Sequence, residues 1–360
     1  FLVNADGSLG ARNPIFCTGI EHKMGIHGNA TCQISLEGAH GFLVGEPNKG
    51  LAAMFIMMNA ARIGVGMQGL GLTEAAYQHA AAYAKERIQM RSLSGPKHPD
   101  QPADPIIVHP DVRKMLLTAR AYAEGGRALA MWTTLQIDKE LGSDDDDVRA
   151  DCADLVALIT PIVKAFLTDN AWIASSHCLQ VFGGHGYIRE TGAEQFVRDA
   201  RINMIYEGTN TIQALDLLGR KVLADNGKKL KKFGKLVADF VDQEGTNEAM
   251  QEFVNPLAEL GDKVTKLSTE IGMKAFANAD EAGAAAVDYL RVCGHLVFAY
   301  FWARMARIAL DKQGGGDPFY TAKLHTARFY FAKLLPETAG LIRSARSGAA
   351  PLMAMDEAMF

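Results

Sequence analysis

The sequence has little of what would mark a disulfide scaffold, a metal site or a nucleic-acid surface. Its five cysteines (Cys17, Cys32, Cys152, Cys178 and Cys293) are odd in number, widely scattered and without CxxC spacing. That pattern excludes a disulfide framework and a zinc ribbon, and points to a reducing, cytoplasmic compartment. Ten histidines show no ligand pairing, so no metal is expected. A net charge of −4 and a pI near 6.2 leave no basic surplus for nucleic acid or an anionic membrane. No uninterrupted apolar run approaches the roughly 20 residues that cross a bilayer, so no span is expected. There is no internal repeat, and no low-complexity tract beyond the four aspartates from Asp144 to Asp147.

What is present is a chain of 360 residues, long for one core and suited to two compact units, with an apolar fraction of 48% that can fill them. The start, Phe1-Leu-Val-Asn4, has no initiator methionine and no charged n-region. It reads as a strand entered partway, and the expectation is a piece of a longer protein. Residues 1–47 are rich in Gly, Asn and Thr, with alternating pieces such as Thr31–Leu36 that predict antiparallel strands. From Asn48 the pattern turns helical. Met54, Met57, Met58, Ala61 and Val65 recur at helical spacing, and Ala-rich sequence carries the helix to Glu86.

A proline-containing loop from Ser92 to His109 precedes a second long helix, from Pro110 to about Leu141. After the aspartates, a third helix carries Cys152, Leu155, Ile159, Val163 and Phe166 on one stripe, and Pro161 is expected to kink it. Thr191-Gly-Ala-Glu194 reads as a capping box for a helix ending near Ile205, and another amphipathic helix follows over Ile212, Leu215, Leu218 and Val222. Helices of this length with short turns predict a bundle. Beyond Asn226-Gly227 a further helical region opens with Lys228–Lys232 and continues over Phe253–Phe276, Glu281–Asp311 and Pro318–Ser344. It has no catalytic-looking cluster, so packing or oligomerisation is its expected role. The lysine run is read as a solvated face. The predicted division is 1–47, the C-terminal part of a β domain; 48–224, a helical domain; and 225–360, a helical extension.

Four motifs carry chemistry. In Tyr206-Glu207-Gly208-Thr209-Asn210 a carboxylate stands at a glycine turn before a helix start. Gly208 frees the backbone for close approach to a ligand, and Thr209 and Asn210 can cap the helix, leaving Glu207 free of that task. A partly apolar setting would suit Glu207 to general-base work. Gln180-Val-Phe-Gly183-Gly184-His-Gly186 is either a helix C-cap or a set of bare backbone N–H groups for a pyrophosphate. Arg87-Ile-Gln89 ends the first long helix in what is ordinarily a solvated turn, with a cation and an amide that could also hold a phosphate. Gly64-Val-Gly66-Met-Gln-Gly69 matches the dinucleotide fingerprint, but it lies inside helical sequence with no preceding strand, so close helix packing is the better reading. The tryptophans Trp132, Trp172 and Trp302 are read as core, and His22, His27 and His185 as surface.

In order and spacing these motifs resemble the acyl-CoA dehydrogenases. Glu21-His-Lys-Met-Gly-Ile-His-Gly28, Leu43–Glu46 with Lys49-Gly50, and Asn59-Ala-Ala-Arg62 extend the likeness upstream, over about residues 15–224. The resemblance implies a mainly α fold and an FAD-dependent enzyme that makes a trans-2-enoyl-CoA from an acyl-CoA. It implies Glu207 as the base for the α-proton, and Asn59, Arg62 and Gly208 along the substrate. Arg87, Gln89, Gln180, Gly183 and Gly184 would meet the FAD of a neighbouring subunit, and Thr209 the FAD of its own. The electron acceptor would be an electron-transfer flavoprotein, in a homo-oligomer for which a dimer is favoured. Departures are Met90 in place of a phenylalanine, Pro110 in place of a glutamine, and the long 92–109 loop. That loop and the extension resemble a larger subgroup that includes 3-methylmercaptopropionyl-CoA dehydrogenase, making that thioester the narrower substrate expectation. The alternatives are a non-catalytic relative that binds a partner or nucleic acid, and a nicotinamide enzyme using the glycines at 64–69.

Overall fold

The computed structural model describes residues 1–360 and is mainly helical. Two compact units divide the chain, Phe1–Ala60 and Ala61–Phe360. In the first, β1 (Ile15–Ile20) pairs antiparallel with β2 (Cys32–Leu36), in a register that sets Ile15 opposite Leu36 and Ile20 opposite Cys32, with an irregularity between Cys17 and Gly19.

Eleven helices follow: α1 (Gly50–Glu86), α2 (Pro110–Gly142), α3 (Asp146–Val181), α4 (Ala193–Ile202), α5 (Asn210–Leu215), α6 (Lys228–Glu244), α7 (Gln251–Ala277), α8 (Asp280–Lys312), α9 (Pro318–Phe329), α10 (Glu337–Ser347) and the short α11 (Ala350–Met353). Helix α2 starts on Pro110, which fits a first helical position where no N–H is needed. Helix α3 is capped by Asp145, whose carboxylate accepts from the N–H groups of Asp147 and Val148. It runs unbroken through Pro161.

Several expectations need correction. The helix after Thr191 does not use a capping box: Thr191 donates to the His185 carbonyl, Glu194 pairs with Arg198 one turn on, and Gly192 at φ 76° makes the entry. That helix ends at Ile202, because the chain must turn there to carry Glu207 out of it. The helix expected over 318–344 is two helices, since a π-helical stretch (Tyr330–Leu334) leads into Pro336, which has no N–H to continue the ladder. The lysine run is not simply solvated. Lys232 binds Asp151 at 2.6 Å, and Lys229 binds Asp225 at 3.0 Å and Asp154 at 3.5 Å, tying α6 to α3. Trp302 is fully buried, whereas Trp132 and Trp172 are half-buried.

Helix α1 contains an 18-residue stretch with a mean hydropathy of 1.4 and is long and apolar enough to cross a membrane by length and composition alone. Asn59 and Arg62 interrupt its apolar run. All five cysteines are free.

The main core of the second unit is formed by the apolar stripe of α3 with α6, α7, α8 and α9, where Phe166, Phe298, Trp302 and Tyr330 meet. A second core joins Ala76, Ala80 and Ala84 of α1 to Leu116 and Ala119 of α2 and to Ala174, Cys178 and Val181 of α3. The glycines of α1 explain its close approach to α3. A methyl at Gly66 would stand 2.8 Å from the Val163 carbonyl oxygen, and one at Gly69 would stand 3.2 Å from the Thr168 Cα, whereas Gly64 faces open space. The fingerprint at 64–69 is therefore mid-helix and has no nucleotide geometry. Gly66→Ala should lower stability by about 1–3 kcal/mol through overpacking, while Gly64→Ala should be neutral or raise it by up to about 1 kcal/mol. Denaturant unfolding of the two variants measures the contrast.

Candidate active site

The end of α1, the start of α2 and the end of α3 surround a cavity of about 680 Å³, within the range of small-molecule and cofactor pockets. Arg87, Gln89, Gln180, Gly183 and Gly184 all line it, with Met90, Arg91, Leu93, His109 and Pro110. Five of the six residues singled out for flavin thus converge from two separate stretches of sequence. Thr209 is not among the lining residues. Gly183 sits at φ 57°, and both Gly183 and Gly184 present an open face where a side chain would stand. Bare backbone at such a corner can meet a phosphate. Beneath it, Phe182 stacks on Tyr83 with ring centroids 4.3 Å apart, holding the corner against α1.

The long 92–109 loop is built into this wall. Its organiser is Asp104, which is wholly buried and accepts from the backbone N–H groups of Ser92 (2.9 Å), Lys97 (2.9 Å) and His98 (2.7 Å) and from Arg91. Burial pushes this carboxyl up, but the N–H groups and the Arg91 charge outweigh it and hold it down at about 2. Backbone bonds from Gln89 to the Asp104 carbonyl and from Ile106 to the Arg87 carbonyl then zip the loop to the end of α1. His109 contacts the Gln89 carbonyl through Nε2 at 3.1 Å, helping to fix that segment where Pro110 supplies no side-chain amide.

Glu207 stands elsewhere, at the tip of the turn between α4 and α5. Its φ of 55° is the left-handed region that a non-glycine residue rarely occupies, and Gly208 follows at 82°. At Gly208 an added methyl would lie 2.7 Å from Gln213 Nε2 and 3.8 Å from Arg62 Nη2, so the turn is packed closely from below. Thr209 caps α5 by accepting from the Ile212 N–H. Asn210 does not share that task, contrary to expectation. It is the first helical residue, and its side chain reaches α3 instead. Glu207 itself is half-buried. Of the two substrate-segment positions, Asn59 is exposed, whereas Arg62 is buried and lies 3.7 Å from Asp216. Tyr206 binds Gln68 through its hydroxyl.

Reading the sequence missed Lys164. It lies on the apolar stripe of α3 and is wholly buried, yet it donates to Asn210 Oδ1 at 2.7 Å. Burial pushes its ammonium down to about 8, with Arg62 adding to the effect and Asp169 and Glu207 opposing it. Asp169 was missed as well, and it accepts from Asn210 Nδ2 at 2.6 Å. The one available signal was a lysine and an aspartate in an otherwise apolar helix, and only the fold shows that they meet the turn.

The Asp104 carboxyl, held below its ordinary 3.8 in the folded chain, contributes stability that is present above about pH 4 and lost as the pH falls toward about 2. Asp104→Asn should therefore loosen the 92–104 loop at neutral pH and flatten the acid limb of the stability curve. Hydrogen exchange of the Ser92, Lys97 and His98 amides checks the first part, and unfolding as a function of pH the second.

Comparison with known proteins identifies the two helical regions. Residues 48–223 match the profile of the acyl-CoA dehydrogenase C-terminal domain, and residues 233–356 that of the acetyl-CoA dehydrogenase C-terminal-like domain. The chain is 40% identical to 3-methylmercaptopropionyl-CoA dehydrogenase of Ruegeria pomeroyi, over 93% of its own length and 57% of the relative's. It is 33% identical to a butyryl-CoA dehydrogenase of Syntrophomonas wolfei, over 94% of this chain and 57% of that one. It thus spans less than two thirds of these relatives. A crystal structure of a Bacillus anthracis acyl-CoA dehydrogenase complexed with FAD shares the fold, with a TM-score of 0.72 at 21% identity, covering 96% of this chain and 58% of the other. With both helical C-terminal domains matched in tandem and the motifs in their places, the chain belongs to the acyl-CoA dehydrogenase family.

Proposed function

We propose that the full-length protein is an FAD-dependent acyl-CoA dehydrogenase that converts an acyl-CoA to its trans-2-enoyl-CoA, with 3-methylmercaptopropionyl-CoA as the narrower candidate substrate. The observation that carries the reading is the convergence of Arg87, Gln89, Gln180, Gly183 and Gly184 on one cavity that excludes Thr209 and Glu207. A dinucleotide held by two copies of the chain accounts for that separation: one copy supplies the cavity, the other supplies Thr209 and the base. The reading thus includes a homo-oligomer, with a dimer favoured. An electron-transfer flavoprotein is the proposed acceptor and the cytoplasm the proposed location.

The cavity fits the cofactor by its chemistry. Two open glycine faces can receive a pyrophosphate on backbone N–H groups, Arg87 adds a cation, and Gln89 and Gln180 offer amides. When bound, FAD supplies the hydride acceptor. The chain's own residues do the rest. Glu207, raised on a left-handed turn and not occupied as a cap, takes the α-proton of the thioester on its carboxylate. Its backbone N–H is available to polarise the thioester carbonyl as negative charge gathers there. Gly208 lets the protein backbone come close to the substrate, and Asn59 and Arg62 lie about two and a half and three and a third turns into α1. The 3-methylmercaptopropionyl preference rests on the Ruegeria pomeroyi relative.

Glu207→Gln should slow anaerobic bleaching of the flavin by an acyl-CoA by about 10²–10⁴-fold with bound FAD unchanged. Stopped-flow absorbance measures it, and bleaching at the wild-type rate would remove Glu207 as the base. Arg87→Ala should weaken FAD retention by roughly ten- to a hundredfold through loss of a charge-assisted hydrogen bond, read as flavin released on dilution.

A further inference from the structure

The turn that carries Glu207 is a closed loop. Its ends are tied where the Asn210 N–H donates to the Met204 carbonyl at 3.0 Å, so the chain leaves α4 and meets itself again at the first residue of α5. Between those two points, the neighbours of Glu207 are held separately. Tyr206 is bonded through its hydroxyl to Gln68 of α1, and the Gly208 carbonyl accepts from Gln213 Nε2 of α5 at 3.3 Å. Glu207 itself keeps its left-handed φ of 55°, a conformation that persists only where the surroundings impose it.

The Asn210 side chain docks this loop on α3. Its oxygen accepts from Lys164 Nζ at 2.7 Å, and its nitrogen donates to Asp169 Oδ1 at 2.6 Å and to Thr168 Oγ1 at 3.0 Å, with the Ala165 carbonyl 3.3 Å away. All these partners fall within two turns of one helix. The Thr168 hydroxyl donates to the Lys164 carbonyl at 2.8 Å, and so receives the Asn210 nitrogen on a lone pair. Turned over, the amide would set its NH2 against the Lys164 ammonium, donor against donor. The lysine therefore fixes which way Asn210 points. It is wholly buried, and the Asn210 oxygen is its hydrogen-bond partner. An ammonium in that setting costs stability that an apolar side chain of the same length would not. What Lys164 supplies is orientation.

We propose that Lys164 and Asn210 are positioning residues for the dehydrogenation: Lys164 fixes the Asn210 amide, the amide docks the start of α5 on α3, and that docking sets where the Glu207 carboxylate stands. This rests on the reading of Glu207 as the base. Both residues act through the turn.

The test uses the full-length protein loaded with FAD, with butyryl-CoA deuterated at the α or at the β carbon as probe and anaerobic flavin reduction followed by stopped flow. Lys164→Met should slow reduction at saturating thioester roughly ten- to a hundredfold through a misplaced base, with the half-saturating concentration and FAD content little changed. The α-deuterium isotope effect should rise relative to the β effect, because proton removal now lags hydride transfer. A residue that served stability alone would move neither ratio. Lys164→Met combined with Asn210→Leu should be no slower than Lys164→Met, since both act through one link. Where Lys164→Met does not fold, this double variant carries the comparison, because it leaves neither partner of the bond buried alone. A wild-type rate in either variant would overturn the proposal, as would a loss lying wholly in thioester binding or in lost flavin with both isotope effects unchanged. Glu207→Gln run alongside separates the two readings: if it bleaches normally the base assignment fails, and if it is inactive while Lys164→Met is normal, only the positioning role fails.

Discussion

A buried cation, Lys164, and a partly buried carboxylate, Asp169, bonded to opposite ends of the Asn210 amide, are the constraint on which the rest of this structure turns. Taking an ionised group out of water costs several kcal/mol unless partners replace its hydration. Lys164 and Asp169 are paired through an amide between them, so neither is left alone and Asn210 is left with one orientation. The amide sits at the first residue of α5, and the strained turn ahead of it, with Glu207 at φ 55°, is held from below. Strain of about 1–3 kcal/mol at a residue of this kind persists only where the surroundings over-determine it.

The same logic explains why the site is divided. The cavity at the ends of α1 and α3 is made of bare glycine backbone, two amides and a cation, which suits an anionic dinucleotide and offers no base. The Glu207 turn, which lines no part of that cavity, offers a base. Each half is built into the helical unit by a carboxylate, the buried Asp104 under the first and the partly buried Asp169 under the second. Family membership and the geometry meet at this point: the matched C-terminal domain spans both halves.

Much of this was legible in the sequence, and the parts that were not share a cause. Long helices announced themselves by apolar period and by local caps at Pro110 and Asp145, because those signals act within one turn. The glycine corner and the Glu207 turn were legible because left-handed backbone wants glycine nearby. The capping box at Thr191 failed because Arg198 offered Glu194 a charge one turn away and the His185 carbonyl took the threonine hydroxyl. Lys229 and Lys232 looked like solvent residues because their partners on α3, Asp154 and Asp151, lie 75 and 81 positions earlier. Lys164 stayed hidden for the same reason. A charge inside an apolar stripe has no local meaning until the fold brings its partner to it.

The most direct measurement is the visible spectrum of the full-length protein during anaerobic addition of acyl-CoA thioesters, 3-methylmercaptopropionyl-CoA among them. A flavin band present on purification that fades on addition, with one enoyl-CoA formed per flavin, is the predicted result. A protein that holds FAD yet keeps its full absorbance with every thioester would contradict the account.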